Sequence, residues 1–354
     1  MISSRKLPVV HRLHKNQPIL RREEDHPWEN KVVFNPGAVL VEDRETLDKI
    51  IAALPFEEAV RKQLAVQQSL TFLLYRAQGK PTASYDHRRS ALGLAVLTPR
   101  LELLARHSEP ILLPNSSYDD LGVEDARITR IGQKFYMCYC GYSSGADNKR
   151  MRIALASSDD LLHWEKHGLL RGEFNLIDNK DGMLFPQKVG GKYLLFHRPM
   201  EGKDAFSIHL AEADHILGDW TSRGVVMKSL PNPEFKETRV GGGAPPIPLP
   251  DGRFLVIYHI GHRRMNGEAE YHLGIGVADL SKPEFFVKRD EPLLRPQTDA
   301  ETKGDSDLGV NNVVFVCAAY FYEGDLYIPY AGADSVVLGG RIEGAELKEY
   351  IQGF

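Results

Sequence analysis

The chain has 354 residues, 42% hydrophobic and 26% charged, an ordinary globular composition with room for two domains or one large closed β architecture. A formal net charge of −4 gives no pull toward nucleic acid or an anionic membrane surface. No stretch approaches the roughly 18 apolar residues of a membrane span. The opening "MISSRKLPVVHRLHKNQPIL" has no apolar core followed by a small-residue cleavage site. Three cysteines are too few for a disulfide framework, so a reducing, cytoplasmic setting is expected.

Residues 1–30 read as an N-terminal extension. The first strand pattern, "VVFNPGAVL", is interrupted by polar Asn35. Residues 43–68 follow with apolar side chains at helical spacing: Leu47, Ile50, Ile51 and Leu54, then Val60, Leu64 and Val66. Pro55 divides them, giving a two-part helical insertion whose role is packing or subunit contact, the latter making it a candidate homo-oligomer interface.

From there the chain repeats weakly. "LTFLLYRAQG", "GQKFYMCYCGY", "GGKYLLFHRP", "DGRFLVIYHIG" and "EGDLYIPYAGA" are strand-like and place aromatics at Tyr75, Tyr139, Phe196, Tyr258 and Tyr330. Their spacing centres on roughly 60 residues, in the range of propeller repeats. Four of the five are preceded by Gly or Asp-Gly, a hairpin signal. A second strand follows each of the first four: "SALGLAVL", "MRIALASS", "SIHLAEAD" and "YHLGIGVAD". Two of these run into Trp-containing stretches, "DDLLHWEKHG" and "ILGDWTSRG", whose aromatic is expected between blades. The helical crossovers of a parallel α/β fold are missing. The fold class is therefore all-β: a single five-bladed β-propeller domain over residues 1–354, with the helical insertion and a C-terminal helical tail at "GAELKEYIQGF".

A propeller carries its site at one end of the central channel, so site residues should recur once per blade. Polar side chains do break the apolar pattern in this way: Asn35, Arg76, Glu124 and Asp125 in "GVEDARIT", Lys188, His197 and Arg198, Arg239, Tyr258 and His259, Asn311 and Asn312, and Asp334. Any one alone is more readily a buried structural residue held by a partner. Burying so many without a shared solvent-filled cavity would be costly, so they are read as the lining of one polar pocket. In a plain strand Glu124 and Asp125 would point to opposite faces, and only one would look into the channel. Carboxylates beside amides and aromatics suit a sugar, and clustered Lys and Arg suit an anion, above all phosphate. Nucleotide loops and the G-x-S-x-G and H-E-x-x-H motifs are missing. "VGGGAPP" lacks the helix that phosphate loops use, and reads as a tight loop allowing close backbone approach. Cys138 and Cys140 read as buried strand thiols, and His259, His262 and His272 fit no compact metal motif, so no metal or organic cofactor is called.

Taken in order, "VFNPGA", "LLYRA", "GVEDARIT", "LFPQKVGGKYLLFHRP", "VGGGAPPI", "GRFLVIYH", "LGVNNVVF" and "YAGADS" are similar to the signature of glycoside hydrolase family 130, over Asn35 to Asp334. The resemblance implies inverting chemistry on a terminal β-mannosyl residue, with inorganic phosphate as co-substrate in the phosphorylases. It implies Asp125 as general acid, its proton passing through a sugar hydroxyl. Glu124 then points away or bonds to a neighbouring strand or a sugar hydroxyl. Asn35, Arg76 and Asp334 would line the mannose subsite, joined by Tyr258 and His259 at the fourth aromatic strand. Lys188, His197 and Arg198 would hold phosphate. Three departures stand out: Ala126 where proline is usual, Gln187 where glutamate is usual, and Ala91 where phosphorylases often carry a phosphate-holding arginine, a loss that Arg88 or Arg89 would make good by turning inward. The expected function is phosphorolysis of a β-mannooligosaccharide or mannosyl-glucose type substrate. One alternative is an inverting β-mannosidase, which needs a second carboxylate roughly 6.5–9.5 Å away to activate water, from Glu237, Glu268 or Glu301. The other is a non-catalytic carbohydrate-binding propeller.

Overall fold

The computed structural model describes residues 6–81, 89–145, 150–230, 232–281, 286–288 and 291–353. Five antiparallel sheets follow one another along the chain. Blade 1 comprises Val32–Val41, Leu70–Gln78, Ala91–Leu97 and Leu103–Arg106. Blade 2 comprises Gly122–Ile131, Lys134–Ser143, Arg150–Ser158 and Glu165–Leu169. Blade 3 comprises Asn179–Leu184, Tyr193–Pro199, Ile208–Ala213 and Thr221–Met227. Blade 4 comprises Glu237–Gly242, Phe254–Arg263, Ala269–Ala278 and Phe286–Lys288. Blade 5 comprises Val314–Val316, Asp325–Gly332 and Val336–Ile342, and is completed by His11–Arg12 from the start of the chain. The first strands run side by side around the axis from blade 5 through blades 1, 2 and 3 to blade 4. This is the five-bladed β-propeller expected from the repeat.

Residues alternate between two cores along each strand, which is why the strands read as unbroken apolar runs. In the second strand of blade 1, Phe72 and Leu74 pack toward blade 2 with Val123, Ile128 and Tyr139. Leu73 and Tyr75 pack the other way, toward blade 5, with Tyr320, Tyr327 and Val337. Equivalent cores fill the junctions of blades 2 and 3, 3 and 4, and 4 and 5. Each such side chain removed from water contributes on the order of 1.5–3 kcal/mol. The five periodic aromatics are all buried in these junctions. Tyr258 illustrates the fit: its ring covers Gly274 on the next strand, where a Cβ would lie 2.3 Å from a ring carbon.

The insertion forms α1, Arg44–Ala53, and α2, Glu58–Ala65. Asp43 caps α1 by accepting from the Thr46 amide at 3.0 Å. Leu47, Ile50, Ile51, Leu54 and Leu64 then seal the core between blades 1 and 2, whereas Val66 stays exposed. A third helix, α3, spans Asp299–Thr302 and opens on a capping box between Thr298 and Glu301. The C-terminal helix α4, Gly344–Ile351, buries Leu347 and Tyr350 against blades 4 and 5. Among the described residues no helix is long and apolar enough to cross a membrane.

The N-terminal closure is anchored by buried charge. Arg12 donates to Glu301 at 2.8 and 3.1 Å. The same carboxylate accepts from Tyr330 and from the Gln297 and Thr298 amides. A buried anion is tolerable only with this many donors.

Candidate active site

The innermost strands of blades 1, 2 and 3 share one irregularity. The pairing register slips between Phe34 and Gly37, between Glu124 and Arg127, and between Lys180 and Met183. At the slip sit Asn35, Asp125 and Asp181, with φ of 45°, 55° and 58°. Asn and Asp tolerate this left-handed region better than other side chains, at a cost of order 1 kcal/mol or more. A bulge re-aims its side chain, and here three bulges turn three polar side chains into one cavity. Blade 4 keeps a regular register in its inner strand and uses glycines instead. A Cβ at Gly241 would lie 2.3 Å from Asp181 Oδ2 and 2.4 Å from His259 Nε2. The glycine run thus allows close backbone approach.

The bulge overturns strict alternation at the acidic pair. Asp125 and Glu124 both reach the same cations. Arg76 donates from one nitrogen to Glu124 at 2.6 Å and from another to Asp125 at 3.2 Å. Lys180 Nζ lies 3.3 Å from each carboxylate. Asn35 donates to Asp125 Oδ1 at 2.7 Å. Arg76 is held in turn by Ser90 Oγ and lies over the Phe34 ring.

These residues open on a cavity of about 270 Å³ on the axis. Its lining includes Asn35, Arg76, Asp125 and Asp334 together with Lys180, Asp181, Arg198 and Arg239. Arg263 stands at the exposed mouth, and Met151, Met200, Tyr271 and Phe315 supply apolar wall. Such a mixture suits a sugar, whose faces are apolar and whose hydroxyls need donors and acceptors.

The carboxylates are tuned apart. Burial alone would raise the Asp125 pKa, but Lys180, Arg76 and Arg127 outweigh it and hold the group well below the usual carboxylate range. Asp334 goes the other way. Burial, reinforced by the negative charges of Asp125 and Glu124, pushes it up to about 6 against the pull of Arg76 and Lys180. Lys180 is raised: burial opposes its charge, but Asp125, Cys140 and Glu124 favour it.

A second charge cluster begins in the cavity wall with Asp181 and Arg198 and continues behind it to Arg127 and His259. Asp181 Oδ1 accepts from Arg127 at 3.0 Å, and Oδ2 lies 3.1 Å from Arg198 Nε and 3.4 Å from His259 Nε2. Burial lowers His259 to about 4 despite Asp181, so it is neutral at pH 7. Its ring packs on Phe315.

Of the sequence-designated residues, Asn35, Arg76, Asp125, Asp334 and Arg198 line one cavity, and Glu124 stands directly behind it. Arg239 lines it as well, and six others do not, of which Asn311 and Asn312 border a neighbouring groove. Lys188 is exposed in the turn beyond the inner strand of blade 3, its Nζ on the Asp214 carbonyl and over the Tyr193 ring. His197 precedes Arg198 on a strand, so it faces the opposite side, buried against Phe174 and Asn179. Tyr258 is buried between blades 3 and 4 for the same reason, while its neighbour His259 reaches the cluster behind the cavity wall. The hydrolase base candidates also fall outside the lining: Glu301 is the buried closure residue, Glu237 is paired with Arg239, and Glu268 is exposed beside a neighbouring groove. Ala91 is buried against Trp28 and Ala77. Arg88 lies outside the described residues, and Arg89 donates to the Pro114 carbonyl.

Sequence reading missed Lys180, Asp181, Tyr271 and Phe315, and gave Arg127 no role. The signal for the first two was present: "FNPG", "EDAR" and "KDGM" align as a residue, an Asn or Asp, a small residue or proline, and the return to strand.

A family model for glycoside hydrolase family 130, described as β-1,4-mannooligosaccharide phosphorylase, matches residues 20–351. A 1,2-β-oligomannan phosphorylase of Thermoanaerobacter sp. (strain X514) is 31% identical over 335 residues, covering 94% of this chain and 97% of the relative. A β-1,2-mannobiose phosphorylase of the same organism is 31% identical over 334 residues, with the same coverage of each. The solved β-1,2-mannobiose phosphorylase of Listeria innocua, in complex with β-1,2-mannobiose, shares the fold with a TM-score of 0.72 at 21% identity, over 97% of this chain and 99% of that one.

Proposed function

The chain belongs to glycoside hydrolase family 130, and on that premise we propose that it cleaves a terminal β-mannoside with inorganic phosphate, with inversion, to give α-mannose 1-phosphate. The observation that carries this reading is one cavity that Asp125 shares with the cations Lys180, Arg198 and Arg239 and with the sugar-suited group Asn35, Arg76 and Asp334.

A phosphate oxygen attacks the anomeric carbon as the glycosidic C–O bond breaks. The electron pair leaves with the acceptor oxygen, which must gain a proton. Asp125 supplies it, through a sugar hydroxyl where the carboxyl does not reach directly. Lys180, Arg76 and Arg127 keep Asp125 ionised on their own. An arriving phosphate takes up part of that positive charge, and burial then favours the protonated carboxyl. Proton supply is in this way coupled to co-substrate arrival. Phosphate is already anionic and needs no base, so a single protein carboxylate suffices.

A water-using enzyme would need a second carboxylate in place. None of Glu237, Glu268 and Glu301 lines the cavity; of the two other carboxylates that do, Asp181 is taken up by Arg127 and Arg198, and Asp334 we assign to the sugar, which favours phosphorolysis over hydrolysis. A non-catalytic binding propeller would have no use for an acid set against a row of cations. We place the reaction in the cytoplasm, where a sugar phosphate is retained by its charge.

The test is incubation with β-1,2-mannobiose, the first substrate to try given the relatives' names, with and without phosphate. Release that requires phosphate and yields mannose 1-phosphate supports the reading. Phosphate-independent release of mannose overturns it.

A further inference from the structure

We propose that Arg127, buried behind the cavity wall and out of reach of substrate, is a positioning residue that makes Arg198 available to the phosphate and couples that arm to Asp125. The inference rests on the phosphorolytic reading and goes beyond it by explaining how the anion half of the site is charged.

Arg127 is 1% exposed, yet its guanidinium meets four acceptors on three blades. It donates to the Asp125 backbone carbonyl at 3.2 Å and to Asp181 Oδ1 at 3.0 Å. It also donates to the Gly242 and Gly243 carbonyls at 3.1 and 2.8 Å. Its face lies 5.9 Å from the Phe315 ring centre, on blade 5. One side chain therefore fixes the strained backbone of the acid, the carboxylate that contacts Arg198, and the glycine run.

The charge balance gives this geometry its purpose. Two guanidiniums, Arg127 and Arg198, share the single carboxylate of Asp181, while the third neighbour, His259, is neutral. The cluster carries one surplus positive charge at the cavity wall. Arg127 occupies one Asp181 oxygen and part of its charge. Arg198, on the cavity wall, keeps charge that Asp181 would otherwise cancel. A fixed surplus of positive charge behind a small cavity favours an anion there.

The experiment compares wild type with Arg127→Met, Arg127→Ala and Asp181→Asn, using inorganic phosphate and β-1,2-mannobiose. For Arg127→Met the KM for phosphate should rise on the order of tenfold or more, the size of a lost charged hydrogen bond. The KM for mannobiose should move far less, and the rise in melting temperature that phosphate gives wild type should shrink. Added guanidinium ion should restore phosphate use in Arg127→Ala. A purely structural role would instead lower the melting temperature and leave both KM values, or raise them together, and either result overturns the proposal. Should the Arg127 variants fail to fold, Asp181→Asn decides. It adds a net positive charge at constant shape, so phosphate should raise its melting temperature more than it does for wild type. An equal or smaller rise overturns the proposal. A wild type that cleaves without phosphate and shows no phosphate-dependent melting shift overturns the phosphorolytic reading itself, a result distinct from either.

Discussion

Asp125 and Lys180 stand on neighbouring inner strands, carboxylate and ammonium 3.3 Å apart, each turned toward the axis beside a register slip. Their pairing, with Arg76 and Arg127 nearby, keeps this buried carboxyl ionised. The replacement Asp125→Asn keeps the shape and the contact with Asn35 but removes the transferable proton. Its rate of mannoside cleavage should fall on the order of 10²–10⁴-fold. Mannose 1-phosphate release measures it, and full retention would remove Asp125 from the chemistry.

Lys180 and Lys188 provide a contrast within one blade. Lys180→Met should lower kcat/KM for phosphate on the order of tenfold or more, because it removes a charged partner inside the cavity. Lys188→Ala touches only a carbonyl and a ring at the surface, and should change stability by no more than about 0.5 kcal/mol with kinetics unaltered. Reversed results would put the phosphate outside this cavity.

Asp334 gives a pH signature. Its folded pKa, about 6, is above its ordinary value. The proton it holds stabilises the ligand-free fold at low pH, and that contribution is lost as pH rises through about 6. Asp334→Asn should therefore gain melting temperature relative to wild type between pH 5 and pH 8. A difference that stays constant across that range would show that Asp334 titrates normally.

Glu301→Gln separates closure from catalysis. Arg12 and Tyr330 lose a charged partner, so the fold should weaken by about 3 kcal/mol in chemical denaturation. The kinetic constants of the folded fraction should stay near wild type. Loss of kcat at unchanged stability would instead mark Glu301 as the water-activating base.

Gly241→Ala tests the close approach of blade 4. The added methyl would be driven against Asp181 and His259, costing about 1–3 kcal/mol by overpacking. Activity should fall further than stability, since Arg198 leans on the displaced carboxylate. Equal losses would mean that the glycine serves packing alone.

The blades were legible because burial between two neighbours demands apolar residues on both strand faces, and "LTFLLYRAQG" and its four counterparts carry that demand openly. Asn35, Arg76, Asp125, Arg198 and Asp334 were legible as polar interruptions of those runs. Facing was not. Counting alternate residues along a strand fails where a bulge inserts one, so Glu124 could not be assigned to the side it shares with Asp125. Without register, His197 could not be separated from Arg198 nor Tyr258 from His259. The family resemblance of "LFPQKVGGKY" pointed to Lys188, while Lys180, eight residues earlier, occupies the inner strand.

The ring is fastened by His11 and Arg12, which pair with Gly340 and Arg341 at the other end of the polypeptide. During synthesis His11–Arg12 must therefore wait, unpartnered, until Val336–Ile342 has been made. A fusion crowding that leading segment, or its removal by a protease, would leave four blades intact and the circle unlatched.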